Sequence, residues 1–179
     1  MGARAEQERG VGRFEESVLP HLDSAYNLAR WLTRNGHDAE DLVQEALLRA
    51  LRAFQGFRGA DGRAWLLTIV RNTCYTWLRA NRQQELTTEF DEEVHTLESD
   101  VLNPERLVLR EGDNARVRQA LEELPAEFRE VLVLREIEGL SYKEISTVVD
   151  IPVGTVMSRL ARARGRLQRG LTARPSEER

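Results

Sequence analysis

The chain has 179 residues, 41% hydrophobic and 31% charged, with 26 Lys plus Arg against 30 Asp plus Glu for a formal net charge of −4. That length suits one domain or two small ones, and the apolar content argues against wholesale disorder. The single cysteine, Cys74, excludes an internal disulfide framework, and no apolar run approaches the ~20 residues of a membrane span. Leu, Ala, Glu and Arg dominate, which favours helices. The N-terminal stretch MGARAEQERGVGRF is charged and has no apolar signal region. Gly2 does not make a myristoylation signal, because Glu6 stands where Ser or Thr is wanted. The expectation is an all-α cytoplasmic protein without membrane insertion.

Residues 14–83 read as the first helical unit. HLDSAYNLARWLT places Leu22, Tyr26, Ala29 and Leu32 on one side. GHDAEDLVQEALLRALRAF follows, with Val43, Ala46, Leu47, Ala50, Leu51 and Phe54 as its apolar stripe. Asp38, Glu40 and Asp41 open this helix and Arg49 and Arg52 close it, which complements the helix dipole. Gly56, Gly59 and Gly62 mark a loop. A third helix, GRAWLLTIVRNTCYTWLRANR, is acid-free and interleaves Arg63, Arg71, Arg79 and Arg82 with Trp65, Tyr75 and Trp77. Cations among aromatics suit unstacked single-stranded bases, whose rings stack while phosphates meet arginine. Arg71, Asn72, Thr76 and Arg79 share a polar face opposite Leu66, Ile69 and Val70, and Trp65 is read as core.

Residues 84–112 read as an acidic linker with a short helical end from about Glu105. The stretch 83–112 carries nine acids (Glu85, Glu89, Asp91, Glu92, Glu93, Glu98, Asp100, Glu105, Glu111) against Arg106 and Arg110. Fully extended, a linker of this length reaches about 90 Å.

Residues 113–172 read as the second helical unit. Ser141 and Glu144 have capping-box spacing, and Ile145, Val148 and Val149 face inward. DIPVG breaks the helix, since Pro152 lacks a backbone donor and disfavours helix at Ile151. In PVGTVMSRLARARGRL, Val156, Leu160, Ala163 and Leu167 form a buried stripe, while four arginines stand with no acid. Two short helices, a tight break and a basic second helix make a helix-turn-helix. Thr155, Met157, Ser158, Ala161 and Arg162 then project towards base edges, with flanking arginines on phosphates.

Four segments, DAEDLVQEALLRAL (38–51), WLLTIVRNTCYTWLR (65–79), LPAEFREVLVLREIEGLSYKEIS (124–146) and PVGTVMSRLARAR (152–164), together resemble bacterial RNA polymerase sigma factors of the extracytoplasmic-function (ECF) subfamily. The resemblance covers about Phe14 to Leu171. It implies sigma regions 2 and 4 and no others, directing initiation of a stress or envelope-response regulon. It implies core RNA polymerase as partner, through clamp helices and flap, with promoter DNA read as single strand at the −10 element and as duplex at −35. It also implies an anti-sigma protein. Asp38, Asp41, Leu42, Gln44 and Glu45 become the polymerase-binding set. Arg63, Arg71, Asn72, Thr76 and Arg79 become the −10 set, with Asn72 matching a position that lines a flipped-base pocket. Thr155, Met157, Ser158, Arg159, Ala161, Arg162 and Arg164 become the −35 set: Ser158 and Arg162 match base-contacting positions, while Arg159 and Arg164 meet phosphates. Met157 and Ala161 depart from commoner family residues, so the −35 sequence is not read from them.

Other classes fit less of the chain. Asp41 and Glu45 lie beside Gln44 on a solvated or partner-binding face, and His21, His37 and His95 show no metal spacing with Cys74. No enzyme activity, cofactor or metal is expected. A helix-turn-helix regulator with an N-terminal helical interaction domain accounts for 141–167, but not for the Asn72 face or the acidic linker.

Overall fold

A computed structural model describes residues 2–59, 61–87 and 111–172. Among these every regular element is helical. Helix α1 (Gly2–Val18) leads through a 3-10 turn (Leu19–His21) into α2 (Leu22–Thr33), followed by α3 (Gly36–Ala53), a 3-10 turn (Phe54–Gly56) and α4 (Gly62–Thr87). The second half contains α5 (Glu111–Glu122), α6 (Ala126–Leu132) with a π-helical turn at its end (Val133–Ile137), α7 (Tyr142–Val149) and α8 (Val153–Thr172). Most of the acidic segment 84–112 lies outside the described residues, including His95 and the helical end expected near Glu105. The helices on either side reach into it, to Thr87 and from Glu111.

Local chemistry sets the boundaries. The Asn35 side chain accepts from the Asp38 N–H at 3.2 Å and starts α3. The Asp61 carboxylate accepts from the Ala64 N–H at 3.0 Å and starts α4. Gly62 is required there: a Cβ would stand 2.1 Å from the Ser17 carbonyl oxygen, so α4 approaches the α1 backbone only because that side chain is missing. The Phe57 ring packs 4.7 Å from Trp65 and 5.6 Å from Phe54, and Phe14 meets Phe54 edge-on at 5.3 Å. This aromatic cluster pins the loop before α4. Trp65 is half-buried at the rim of the core rather than within it.

The core of the first half comprises Leu28, Leu32, Ala46, Leu66, Leu67 and Val70, all at most 1% exposed. On α3 the stripe is rotated from the expected one. Leu42 is buried in it at 5%, while Leu51 stands out at 45%. In the second half Val131, Leu134, Leu140, Ile145 and Leu160 are likewise enclosed. The two halves share one continuous apolar cluster, with α2 packed on α6 and α4 packed on α7.

Candidate nucleic-acid and polymerase interfaces

The helix-turn-helix is built as its residues dictate. The Ser141 hydroxyl accepts from the Glu144 N–H at 3.2 Å, and Glu144 Oε2 accepts from the Ser141 N–H at 2.7 Å. Those bonds hold the Glu144 carboxyl below its ordinary range. Asp150 then takes a left-handed conformation, φ 58°, with its N–H on the Ser146 carbonyl. A short polar side chain tolerates that conformation. The chain turns within Asp150–Pro152 and re-enters helix at Val153. Val156, Leu160 and Ala163 are buried and Leu167 is half-buried. Met157, Ser158, Ala161 and Arg162 are exposed on the other side, and Thr155 is half-buried beside them.

Two arginines of α8 stand differently from the expected phosphate contacts. Arg159 is half-buried and turned inward, its Nη1 3.9 Å from Glu130 Oε1. Arg164 is exposed but donates to Glu136 Oε1 through Nε at 3.1 Å and Nη2 at 2.6 Å. Further along, Arg166 lies over the Phe128 ring at 4.8 Å, and Arg162, Arg166 and Arg169 line an open basic groove with Phe128 and Gly165.

On α4 the predicted polar face divides. Asn72, Thr76 and Arg79 are exposed. Thr76 Oγ1 donates to the Asn72 backbone carbonyl at 2.9 Å; the Asn72 side chain is exposed, and among the described residues none hydrogen-bonds its amide. Arg71 is instead half-buried. It donates to Glu130 of α6 from Nε to Oε2 at 2.7 Å and from Nη2 to Oε1 at 3.1 Å, while its guanidinium lies 4.4 Å from the Tyr75 ring centre. Burial alone would lower the pKa of Arg71, but the bonds to Glu130 raise it. Burial pushes the fully enclosed Glu130 carboxyl up, and Arg71 and Arg159 oppose that only in part. Tyr75 Oη is buried beside this pair without a hydrogen-bond partner of its own, and burial followed by the charge of Glu130 drives its pKa up. Arg63 is half-buried too. Its Nη2 donates to the Glu138 backbone oxygen at 2.6 Å and to Glu138 Oε2 at 2.9 Å, while Asn27 Nδ2 donates to Glu138 Oε1 at 2.9 Å.

On α3, Asp41, Gln44 and Glu45 are exposed, Asp38 is half-buried, and Glu45 is ion-paired with Arg49. Leu42, expected in the polymerase-binding set, is buried at 5% rather than exposed with the others. It packs beneath the surface and positions it. The apolar members of the face are Leu48, 55% exposed, and Leu51, which sequence reasoning left out. Among the described residues no cluster of His, Cys, Asp and Glu could hold a metal, and no helix is long and apolar enough to cross a membrane.

Two family models match in chain order: Sigma-70 region 2 over residues 18–84 and Sigma-70 region 4 over residues 114–167. The chain is a sigma factor of the ECF group. Among curated proteins it is 38% identical over 173 residues to RNA polymerase sigma-H factor of Pseudomonas aeruginosa, covering 92% of this chain and 89% of that one. It is 40% identical over 134 residues to ECF RNA polymerase sigma-E factor of Escherichia coli, covering 71% and 70%. Among solved structures it resembles the sigma factor RpoE in complex with the anti-sigma factor NepR from Bartonella quintana, with a TM-score of 0.71 at 29% identity, covering 91% of this chain and 99% of that one. It also resembles CnrH in complex with the cytosolic domain of CnrY, with a TM-score of 0.63 at 28% identity, covering 92% and 91%. As a sigma factor the chain directs transcription initiation at promoters. Helices α2–α4 fall in the region 2 match and α5–α8 in the region 4 match, while α1 precedes the first.

Proposed function

We propose that this sigma factor docks on core RNA polymerase through the α3 face of Asp41, Gln44, Glu45, Leu48 and Leu51. Helix α4 then meets the melted −10 strand, and α8 enters the major groove of the −35 element. The reading is supported most directly by α8: a capped, tightly broken helix pair whose second member presents Ser158 and Arg162 to solvent beside a buried apolar stripe. Ser158 and Arg162 read base edges in this scheme, and Asn72 takes one extruded base by its amide.

The net negative charge of −4 fits this division of labour. A factor positive all over would be titrated by bulk DNA, whereas this chain is acidic overall and has acid-free basic stretches in α4 and α8. The factor acts in the cytoplasm on stress or envelope-response genes. An anti-sigma protein restrains it by covering the polymerase-binding face, a reading supported by the likeness to an RpoE held by its anti-sigma factor NepR. The acidic segment 84–112 is long enough in sequence to join readers of two separated promoter elements. The decisive experiment is reconstitution: the protein is expected to co-purify with core polymerase and to start transcription from a promoter that core alone ignores. Failure of both would overturn the reading.

A further inference from the structure

Two of the five residues assigned above to the −10 reader, Arg63 and Arg71, are only partly exposed, their side chains at 28% and 17%. Each is held by a carboxylate of region 4: Arg71 by Glu130 of α6 and Arg63 by Glu138 at the end of the π-helical turn. Both carboxylates are enclosed, with Glu130 at 0% and Glu138 at 7% exposure. The Arg71–Glu130 contact uses two parallel N–H···O bonds, at 2.7 and 3.1 Å. A guanidinium meets a phosphate in that same forked geometry.

We propose that Glu130 and Glu138 are internal substitutes for DNA phosphates, so that region 4 and the single-stranded −10 segment compete for the same two guanidiniums. The proposal rests on the −10 assignment made above. In the closed arrangement the free factor presents Asn72, Thr76 and Arg79 without the two cations that would anchor a strand beside them. Parting the halves frees Arg63 and Arg71 for phosphate.

The chemistry favours a reversible latch over a permanent joint. A buried ion pair gains Coulomb energy but loses the hydration of both partners, so its net contribution is small. What the pairs add is selectivity. Closing with either arginine already on a phosphate would leave a carboxylate enclosed without its partner, which is costly. DNA engagement and closure therefore exclude one another. Asn27 adds a second donor on Glu138 from α2, and Arg159 adds a distant cation near Glu130 from α8. The latch thus touches three helices around the −10 face as well as the helix that reads −35.

The test uses the full chain and a fluorescein-labelled single-stranded DNA bearing the −10 region of a promoter from which the assembled holoenzyme initiates. Glu138→Gln and the double variant Glu130→Gln/Glu138→Gln keep shape and remove charge. Removing the charged hydrogen bonds is expected to raise single-strand affinity roughly tenfold, with a larger radius of gyration by small-angle X-ray scattering. Adding Arg63→Ala/Arg71→Ala should cancel the gain. If the Glu130 variant loses its circular-dichroism signature, Glu138→Gln alone decides. A folded variant whose affinity stays at the wild-type level overturns the latch, whether its halves have parted or not. Arg63→Ala/Arg71→Ala in the holoenzyme separates the two readings. If it slows −10 opening while the carboxylate variants leave the free factor unchanged, the −10 assignment stands and the latch falls. If the holoenzyme is indifferent, both fall.

Discussion

Arg164 of α8 and Glu136 of the π-helical turn are tied by two hydrogen bonds to a single carboxylate oxygen, 3.1 and 2.6 Å long. Both side chains are about half exposed, at 48% and 53%, so the pair adds at most about 1 kcal/mol to stability. Its consequence is for DNA. A guanidinium already partnered brings less to a phosphate than a free one, whereas Arg162, four residues from Ser158, is exposed and has no ion pair among the described residues. Arg162→Ala is expected to cost about 1–3 kcal/mol and relax preference at one base pair of the −35 element. Arg164→Ala should weaken binding evenly across sequences and lower the salt slope by less than one full phosphate contact. Glu136→Gln should raise non-specific affinity. Titrations against cognate and scrambled duplexes at several salt concentrations decide; identical profiles for the two arginine variants would refute the division.

The proposed polymerase face on α3 makes a second prediction. Leu48 and Leu51 are exposed, so replacing both with Ala should shift folding stability by no more than about 0.5 kcal/mol each. Affinity for core polymerase should nevertheless fall, and charge reversal at Asp41 and Glu45 should lower it further, with far-UV circular dichroism unchanged. Leu42→Ala should behave oppositely: a core leucine lost costs about 2–5 kcal/mol, so its defect is one of stability. Core affinity at wild-type level in the folded Leu48/Leu51 variant would remove that surface from the interface.

The contrast between Leu42 and Leu51 shows what sequence periodicity can carry. Nine residues along an ideal helix is about two and a half turns, so these two leucines point to opposite sides of α3. Apolar spacing alone allows either to join Val43, Ala46 and Ala50. Only the packing of α2 and α4 against the helix selects Leu42. The helix-turn-helix was legible because its signals are local: Ser141 and Glu144 are three residues apart, and Pro152 acts on its own neighbours. The partners of Arg63 and Arg71 were not legible. Glu138 and Glu130 lie 75 and 59 residues away, within an apolar stretch where an acid carries no periodic signature. The same long-range pairing turned Arg71 away from the face that it shares in sequence with Asn72.

The capping box gives a pH-dependent expectation. Glu144 is held below its ordinary value of 4.5 by its bonds with Ser141. A carboxyl whose folded value is depressed stabilises the fold above its unfolded value, and that contribution disappears as pH falls through the folded value. Glu144→Gln should therefore lower stability near neutrality, with the gap to wild type narrowing in thermal melts taken progressively below pH 4.5. A gap that stays constant down that range would show that Glu144 does not carry the linkage.

Cys74 is fully enclosed in region 2, and burial pushes its thiol up to about 12. The reactive species is the thiolate, so the native protein should resist aromatic disulfide reagents at neutral pH and react at a rate that tracks opening of the region 2 core. Because Cys74 lies on α4, between Arg71 and Tyr75 in sequence but on the buried side, its protection reports integrity of the −10 helix. Glu130→Gln/Glu138→Gln should leave that protection intact, since the latch separates halves without unfolding either. Fast labelling of that variant would show that region 4 holds region 2 folded.

Asn72 should act only after DNA opens. Its amide is exposed, free of hydrogen bonds among the described residues, and flanked by Thr76 and Arg79 on the same face. An amide offers a donor and an acceptor together, which matches the edge of one base once that base has left the stack. Duplex DNA hides that edge, so duplex binding by region 4 should be indifferent to Asn72→Ala. Open-complex formation should fall, because the flipped base loses hydrogen bonds that help offset unstacking, a cost of a few kcal/mol. The defect should shrink on a template with a premelted −10 bubble and should depend on which base occupies the flipped position. Since the side chain is exposed and Thr76 bonds only the Asn72 backbone, thermal stability should hold. A variant that melts earlier and is equally impaired for every base would mean that Asn72 serves α4 itself and reads no DNA.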